Sequence, residues 1–289
     1  MHDNLIILAG GASSRMKQSL ASDTISAEEQ QQANQRSKGL IGIGPENRPL
    51  LDFLLYNARQ AGYKKIYFIV GRNNALFREL YGKNDSDNVF RGLTISYAIQ
   101  HIPEGREKPL GTADALLQCL EQYPELQSQA FSVCNSDNLY SVRALSAVRV
   151  AKAPNAFISY DRDSLDFPSE KIYRFALAKL DPENHLIDIV EKPDPELIAQ
   201  FKDTEGKLRV SMNLFKFTGA YIFQYVRDCP MNKDRNEKEL QTAILNMLKS
   251  FPGSMIGIPL AEHVPDLTSK EDIAIMKDYI LKHYASLKW

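Results

Sequence analysis

Short apolar runs recur along the first half of the chain. Residues 5–8, 65–70, 94–99, 130–135 and 155–160 are rich in β-branched or aromatic side chains, with helix-like stretches between the first four. Such alternation predicts a mostly parallel sheet with helices on both faces. The clearest helix starts at Pro49, carries Leu50, Leu51, Leu54, Leu55, Ala58 and Ala61 on one stripe, and stops at Gly62. Thr112 is placed to cap a second helix that turns Leu116, Leu117 and Leu120 inward. After Tyr160 the pattern changes: residues 171–180 and 185–191 flank a turn-rich Asp181-Pro-Glu-Asn, which predicts a hairpin. Amphipathic helices are predicted over 237–249 and 269–287, and either 252–258 or the last helix forms an interface or completes the core. There is no internal repeat.

Residues 18–37 stand apart as a polar segment rich in Gln, Ser and Ala. A connection of this length inside a compact domain reads as a mobile insertion, either a functional lid or a tolerated surface loop. Ser26 and Glu29 have capping-box spacing, so a short helix fits inside it.

The chain of 289 residues is 44% hydrophobic, ample for one large α/β domain, read in two halves over 1–140 and 141–289. Lys plus Arg number 35 against 36 Asp plus Glu, so no basic field exists to hold nucleic acid or an anionic membrane. Any anion must be bound locally. Cys119, Cys134 and Cys229 are scattered without the spacing of a zinc site or a disulfide framework, which suits a reducing cytoplasm. No apolar run approaches the ~18 residues of a membrane span, so a soluble protein is expected.

The candidate chemistry begins with "LAGGASSRMK", directly after the first apolar run. A glycine-rich turn at the carboxyl end of a first parallel strand brings backbone N–H groups up to phosphates. It is neither GxGxxG nor GxxxxGK[ST], so a dinucleotide fold and a P-loop are both disfavoured. Arg15, which ends the turn, could lie along a triphosphate and stabilise charge built up in displacement at phosphorus. Asp137, in Asn135-Ser-Asp-Asn138, follows the fourth run and would sit at the sheet edge beside that turn, as a Mg²⁺ ligand or an Asx turn. Asp266, before a predicted helix start, is a second carboxylate whose plain alternative is helix capping. Together they suit metal-assisted nucleotidyl transfer.

These stretches keep the order of a known family. "LAGGASSRMK", "KGLIGIGPENRPLLDFLLYNARQAGYKKIYFIVG", "PLGTADAL", "NSDN", "EKPD", "SMNLFKF" and "DLTSKED" resemble in sequence the sugar-1-phosphate nucleotidyltransferases. The resemblance implies a three-layer α/β/α Rossmann-like fold with a mixed, mostly parallel sheet and a small antiparallel extension. It implies that Gly10, Gly11, Ala12, Ser13 and Ser14 cradle an NTP, with Arg15 on its β- and γ-phosphates. Lys38 would lie between the α-phosphate and the acceptor, Gln100 would bond the base, and Gly111 and Thr112 would pack on base or ribose. Asp137 and Asp266 would hold Mg²⁺, Glu191 and Lys192 would face the sugar phosphate, and Asn213 a sugar hydroxyl. The expected reaction joins an NTP to a sugar 1-phosphate by in-line attack on the α-phosphorus, with Arg15, Lys38 and Lys192 as its catalytic cations. The acceptor is already an anion, so no general base is needed.

The sequence departs from the family pattern at Ser13, where many sugar enzymes have glycine, and "AGGASSRM" also resembles the molybdopterin nucleotidyltransferase branch. Transfer to another phosphate acceptor, phosphocholine or molybdopterin in type, and a non-catalytic nucleotide-sugar sensor are the alternatives. Retention of both carboxylates and the phosphate-facing lysines favours catalysis. The sequence leaves the base, the sugar and the oligomeric state open.

Overall fold

Strand β1 (Asn4–Leu8) is apolar because it is covered on both faces: Leu5 and Ile7 enter one core, Ile6 the other. In the computed structural model, which describes residues 1–20, 24–173, 175–191, 193–285 and 287, it lies in the middle of the sheet. The other strands among these residues are β2 (Lys65–Val70), β3 (Asn88–Phe90), β4 (Leu93–Ile99), β5 (Ala130–Asn135) and β6 (Asn155–Asp161). They are followed by β7 (Ala176–Leu180), β8 (Leu186–Val190), β9 (Arg209–Thr218) and β10 (Met255–Leu260). The order across the sheet is β10-β6-β9-β5-β1-β2-β4-β3, with the β7-β8 hairpin attached to β9. The β5-β1-β2-β4 block is parallel, β9 runs antiparallel between β5 and β6, and β10 is parallel to β6. This is the mixed, mostly parallel sheet with an antiparallel extension that the sequence predicts.

The α-helices are α1 (Ser14–Gln18), α2 (Ala27–Gln35), α3 (Leu50–Gln60), α4 (Ala75–Tyr81) and α5 (Thr112–Gln122). They continue as α6 (Val142–Val150), α7 (Ser169–Ile172), α8 (Gly219–Arg227), α9 (Leu240–Ser250) and α10 (Glu271–Tyr284). Helices α3, α4, α6 and α10 cover one face, and α5, α8 and α9 the other. Helix α3 follows Pro49 and ends where Gly62 takes φ +94°, letting Tyr63 N–H reach the Ala58 carbonyl at 3.1 Å.

Some expectations shift. Residues 171–180 are not one strand: they begin within α7, and the strand starts only at Ala176. Strand β10 was not predicted, because Gly257 and Pro259 interrupt its pattern. As an edge strand it tolerates the proline, which is exposed there. Hairpin β3-β4 turns on Arg91-Gly92, both at positive φ, without the Asn-Gly signature that would have announced it. Cys119, Cys134 and Cys229 are buried free thiols. No helix among the described residues is long and apolar enough to cross a membrane.

Candidate active site

From β1 the chain adds β2 and β4 on one side, then crosses to place β5 on the other, so strand order reverses between β1 and β5. Their carboxyl ends are level, with Leu8 opposite Asn135. Open α/β sheets bind ligands in the crevice at such a reversal. Here that crevice is a cleft of about 480 Å³, and Gly10, Gly11, Ala12, Ser13, Ser14, Arg15, Lys38, Gln100, Gly111, Thr112 and Asp137 all line it.

The floor is the loop after β1. The N–H groups of Gly10, Gly11, Ala12 and Ser13 donate to no acceptor among the described residues, so they are free for an anion. Ser13 has φ +54°, a left-handed conformation that glycine adopts without cost.

Lys38 opens a single 3₁₀ turn, and its Nζ donates to Asp137 Oδ2 at 2.8 Å, both side chains largely buried. Helix α2 braces that turn. Its capping box is formed by Ser26 and Glu29, as the spacing predicts, and Gln32 Oε1 accepts from Gly42 N–H at 2.9 Å while its Nε2 donates to Asn47 at 3.1 Å. Lys277 ties Glu29 to α10 at 2.5 Å.

Asp266 does not line the cleft but is brought beside Asp137 by a short antiparallel pairing. Leu139 N–H donates to the Pro265 carbonyl and Leu267 N–H to the Asp137 carbonyl, both at 2.9 Å. Asn138 Nδ2 reaches Asp266 Oδ1 at 3.3 Å, the Thr268 hydroxyl donates to Oδ2, and Lys171 Nζ lies 3.1 Å from Oδ2 and 3.0 Å from Asp272. Burial, then the charge of Asp137, pushes the Asp266 carboxyl above its ordinary value. Two neighbouring carboxylates, each already drawing a lysine, form a donor set suited to a hard cation.

Gly111, not Thr112, is the N-cap of α5, which corrects the capping prediction. Gly111 has φ +117°, and a β-carbon there would lie 2.4 Å from the Lys238 carbonyl, so this crossing requires glycine. Thr112 is the first helical residue, and its hydroxyl accepts from Leu240 N–H at 2.9 Å, capping α9 instead of its own helix.

On the acceptor side, Glu191 and Asn213 lie outside the cleft lining and are tied to the approach to α9. Glu191 pairs with Arg235, which also reaches Glu239 at 2.8 Å. Asn213 Oδ1 accepts from Gln241 Nε2 at 3.2 Å. Glu237, between them, lines the cleft. Lys192 lies outside the described residues. Sequence reasoning missed Lys171, Arg235 and Gln241; only Arg235 and Glu239, four apart and opposite in charge, left a signal.

Known proteins are similar across most of this architecture. A glucose-1-phosphate adenylyltransferase small subunit of Triticum aestivum is 28% identical over 69% of this chain and 40% of its own length. Glucose-1-phosphate adenylyltransferase of Trichlorobacter lovleyi is 25% identical over 56% and 39%. The chain thus spans about two fifths of the curated relatives it matches. A UDP-glucose pyrophosphorylase solved with UDP-glucose superimposes at TM-score 0.69, with 16% identity over 98% of this chain and 99% of that one, a likeness of fold. Residues 4–251 match the model of the nucleotidyl transferase family, and the chain belongs to that family.

Proposed function

We propose that the protein joins a nucleoside triphosphate to a sugar 1-phosphate, giving a nucleoside-diphosphate sugar and pyrophosphate. The observation that carries this reading is the cleft at the β1/β5 reversal, where loop N–H groups without an acceptor among the described residues, Arg15 and the Lys38–Asp137 ion pair line one pocket. Residues 1–140 would take the nucleotide and 141–289 the sugar phosphate, with Glu191, Asn213 and Lys192 on the acceptor side. The buried free thiols fit a reducing compartment, the cytoplasm in our reading.

The amides of Gly10 to Ser13 would hold the triphosphate, with Arg15 along its outer phosphates. Lys38 would shift from Asp137 toward the α-phosphate, neutralising charge where the new P–O bond forms. A phosphate oxygen of the acceptor attacks in line, the bond to the β-phosphate oxygen breaks, and pyrophosphate leaves with the electron pair. The attacking oxygen is an anion, so positioning and charge neutralisation suffice. Asp137 and Asp266 would hold Mg²⁺, which when bound supplies positive charge to the phosphoryl oxygens.

The test is pyrophosphate release with Mg²⁺ over a grid of ATP, GTP, CTP, UTP and dTTP against sugar 1-phosphates, phosphocholine and a no-acceptor control. Acceptor-dependent release with a sugar 1-phosphate is expected. Release with phosphocholine alone, or none despite nucleotide binding, would replace this reading with one of its alternatives. Asp137→Ala should abolish most turnover.

A further inference from the structure

Gln100, at the carboxyl end of β4, is 4% exposed, and its amide is fully engaged on one side. Nε2 donates to Asp114 Oδ2 at 3.0 Å and to the Gly111 carbonyl at 3.2 Å, which uses both amide protons. Asp114, 7% exposed, is itself held by Gln118 Nε2 at 2.9 Å. Turning the amide over would set its oxygen against two acceptors, so the orientation is fixed. Oε1 accepts from no described residue and faces the loop floor, where a β-carbon on Gly10 would stand 3.4 Å from it.

We propose that Asp114 is a positioning residue that locks Gln100 so that the cleft reads its nucleobase through an N–H donor on the base. This rests on the nucleotidyltransferase reading and adds how the base is chosen. A free glutamine amide can bond a base edge in both directions. Gln100 has only its carbonyl left, so a base offers it a hydrogen or loses the contact, and a buried carbonyl left unsatisfied is costly.

The experiment measures kcat/KM for whichever triphosphate the release assay selects and for its analogue lacking the donor. These are 3-methyl-UTP for UTP, 3-methyl-dTTP for dTTP, N4,N4-dimethyl-CTP for CTP, purine riboside triphosphate for ATP, and 1-methyl-GTP and inosine triphosphate, each lacking one donor, for GTP. The wild-type protein should lose about 10- to 100-fold on the analogue, the range of one buried hydrogen bond. Asp114→Leu should raise the KM of the parent triphosphate about tenfold or more, leave that of the sugar phosphate unchanged, and shrink the parent-to-analogue ratio toward unity. Asp114→Asn, which still offers an acceptor to Nε2, should restore the ratio, a rescue that a merely structural residue would not produce. Equal use of analogue and parent by the wild type, or a wild-type ratio in Asp114→Leu, overturns the proposal while the enzyme reading stands. If Asp114→Leu does not fold, Asp114→Ala, which likewise offers Gln100 Nε2 no side-chain acceptor, takes its place with the same expected ratio. Absence of turnover and binding with every triphosphate overturns both.

Discussion

The two ends of β1 and β5 treat their polar groups in opposite ways. At the amino ends most polar side chains are paired within the protein, with His2 Nδ1 and Arg149 Nε buried and unpartnered among the described residues. Arg149 donates to Asp3 at 2.8 Å, Asn4 Nδ2 to the Ala130 carbonyl at 3.0 Å, and the Tyr63 hydroxyl to Ser132 Oγ at 2.7 Å, with His2 packed edge-on against Tyr63. At the carboxyl ends of the same strands, the loop amides of Gly10 to Ser13 have no acceptor among the described residues, and exposed Arg15 lines an open cleft. The contrast separates what holds the sheet from what waits for a ligand: bonding groups left open beside a rigid, closed frame are pre-organised for binding.

Mutations at the two ends should therefore dissociate turnover from stability. The largest effect is expected from Arg15→Ala, which should lower kcat/KM about 10²- to 10³-fold, the usual cost of removing a charge-stabilising group. Its unfolding free energy in urea should stay within about 0.5 kcal/mol of wild type, because the side chain is exposed. At the opposite end, Asp3→Ala should leave kcat/KM alone and cost about 2 kcal/mol of stability. That is below the usual figure for a broken buried pair, because Arg149 is buried but Asp3 itself is partly exposed. Loss of activity in Asp3→Ala, with folding intact, would break the comparison.

His2 sharpens it by pH. Burial, then the charges of Lys216 and Arg149, pushes its folded pKa from 6.5 down to about 3. Between those values the unfolded chain binds the proton and the folded one does not, so stability is complete above pH 6.5 and falls as pH drops toward 3. Urea unfolding should lose about 2 kcal/mol from pH 7 to 5 through this group. His2→Gln should remove that part of the slope, and an unchanged slope would place the acid sensitivity elsewhere.

The open end was also the more legible in sequence, for a physical reason. The loop after β1 and the Asn135-to-Asn138 turn are each continuous and follow apolar strands, so spacing alone puts them at one sheet edge. Capping-box Ser26 and Glu29 could be read for the same reason. Asp266 was paired with Asp137 only through the family resemblance, and what could not be read at all is held by distant partners: Lys171 between Asp266 and Asp272, Arg235 on Glu191, and Thr112 capping another helix. No local pattern encodes such pairings. Strand β10 was hidden because an edge position tolerates the glycine and proline that deny a strand elsewhere.

The smallest predicted effect tests whether the open end carries strain. Ser13 holds φ +54° with no side-chain cap bond to offset it. A non-glycine residue in this region gives up about 1 kcal/mol or more, whereas glycine costs extra backbone entropy on folding, so Ser13→Gly should gain a net ~0.5 kcal/mol in urea unfolding. The same change loosens the loop whose amides are meant to meet phosphate, and the KM for the triphosphate should rise a few-fold as pre-organisation is lost. A gain in stability with weaker binding would show that the loop's conformation is held for the ligand at the fold's expense. A loss of stability would mean that the serine is not strained, and that the turn belongs with the closed amino end as ordinary structure.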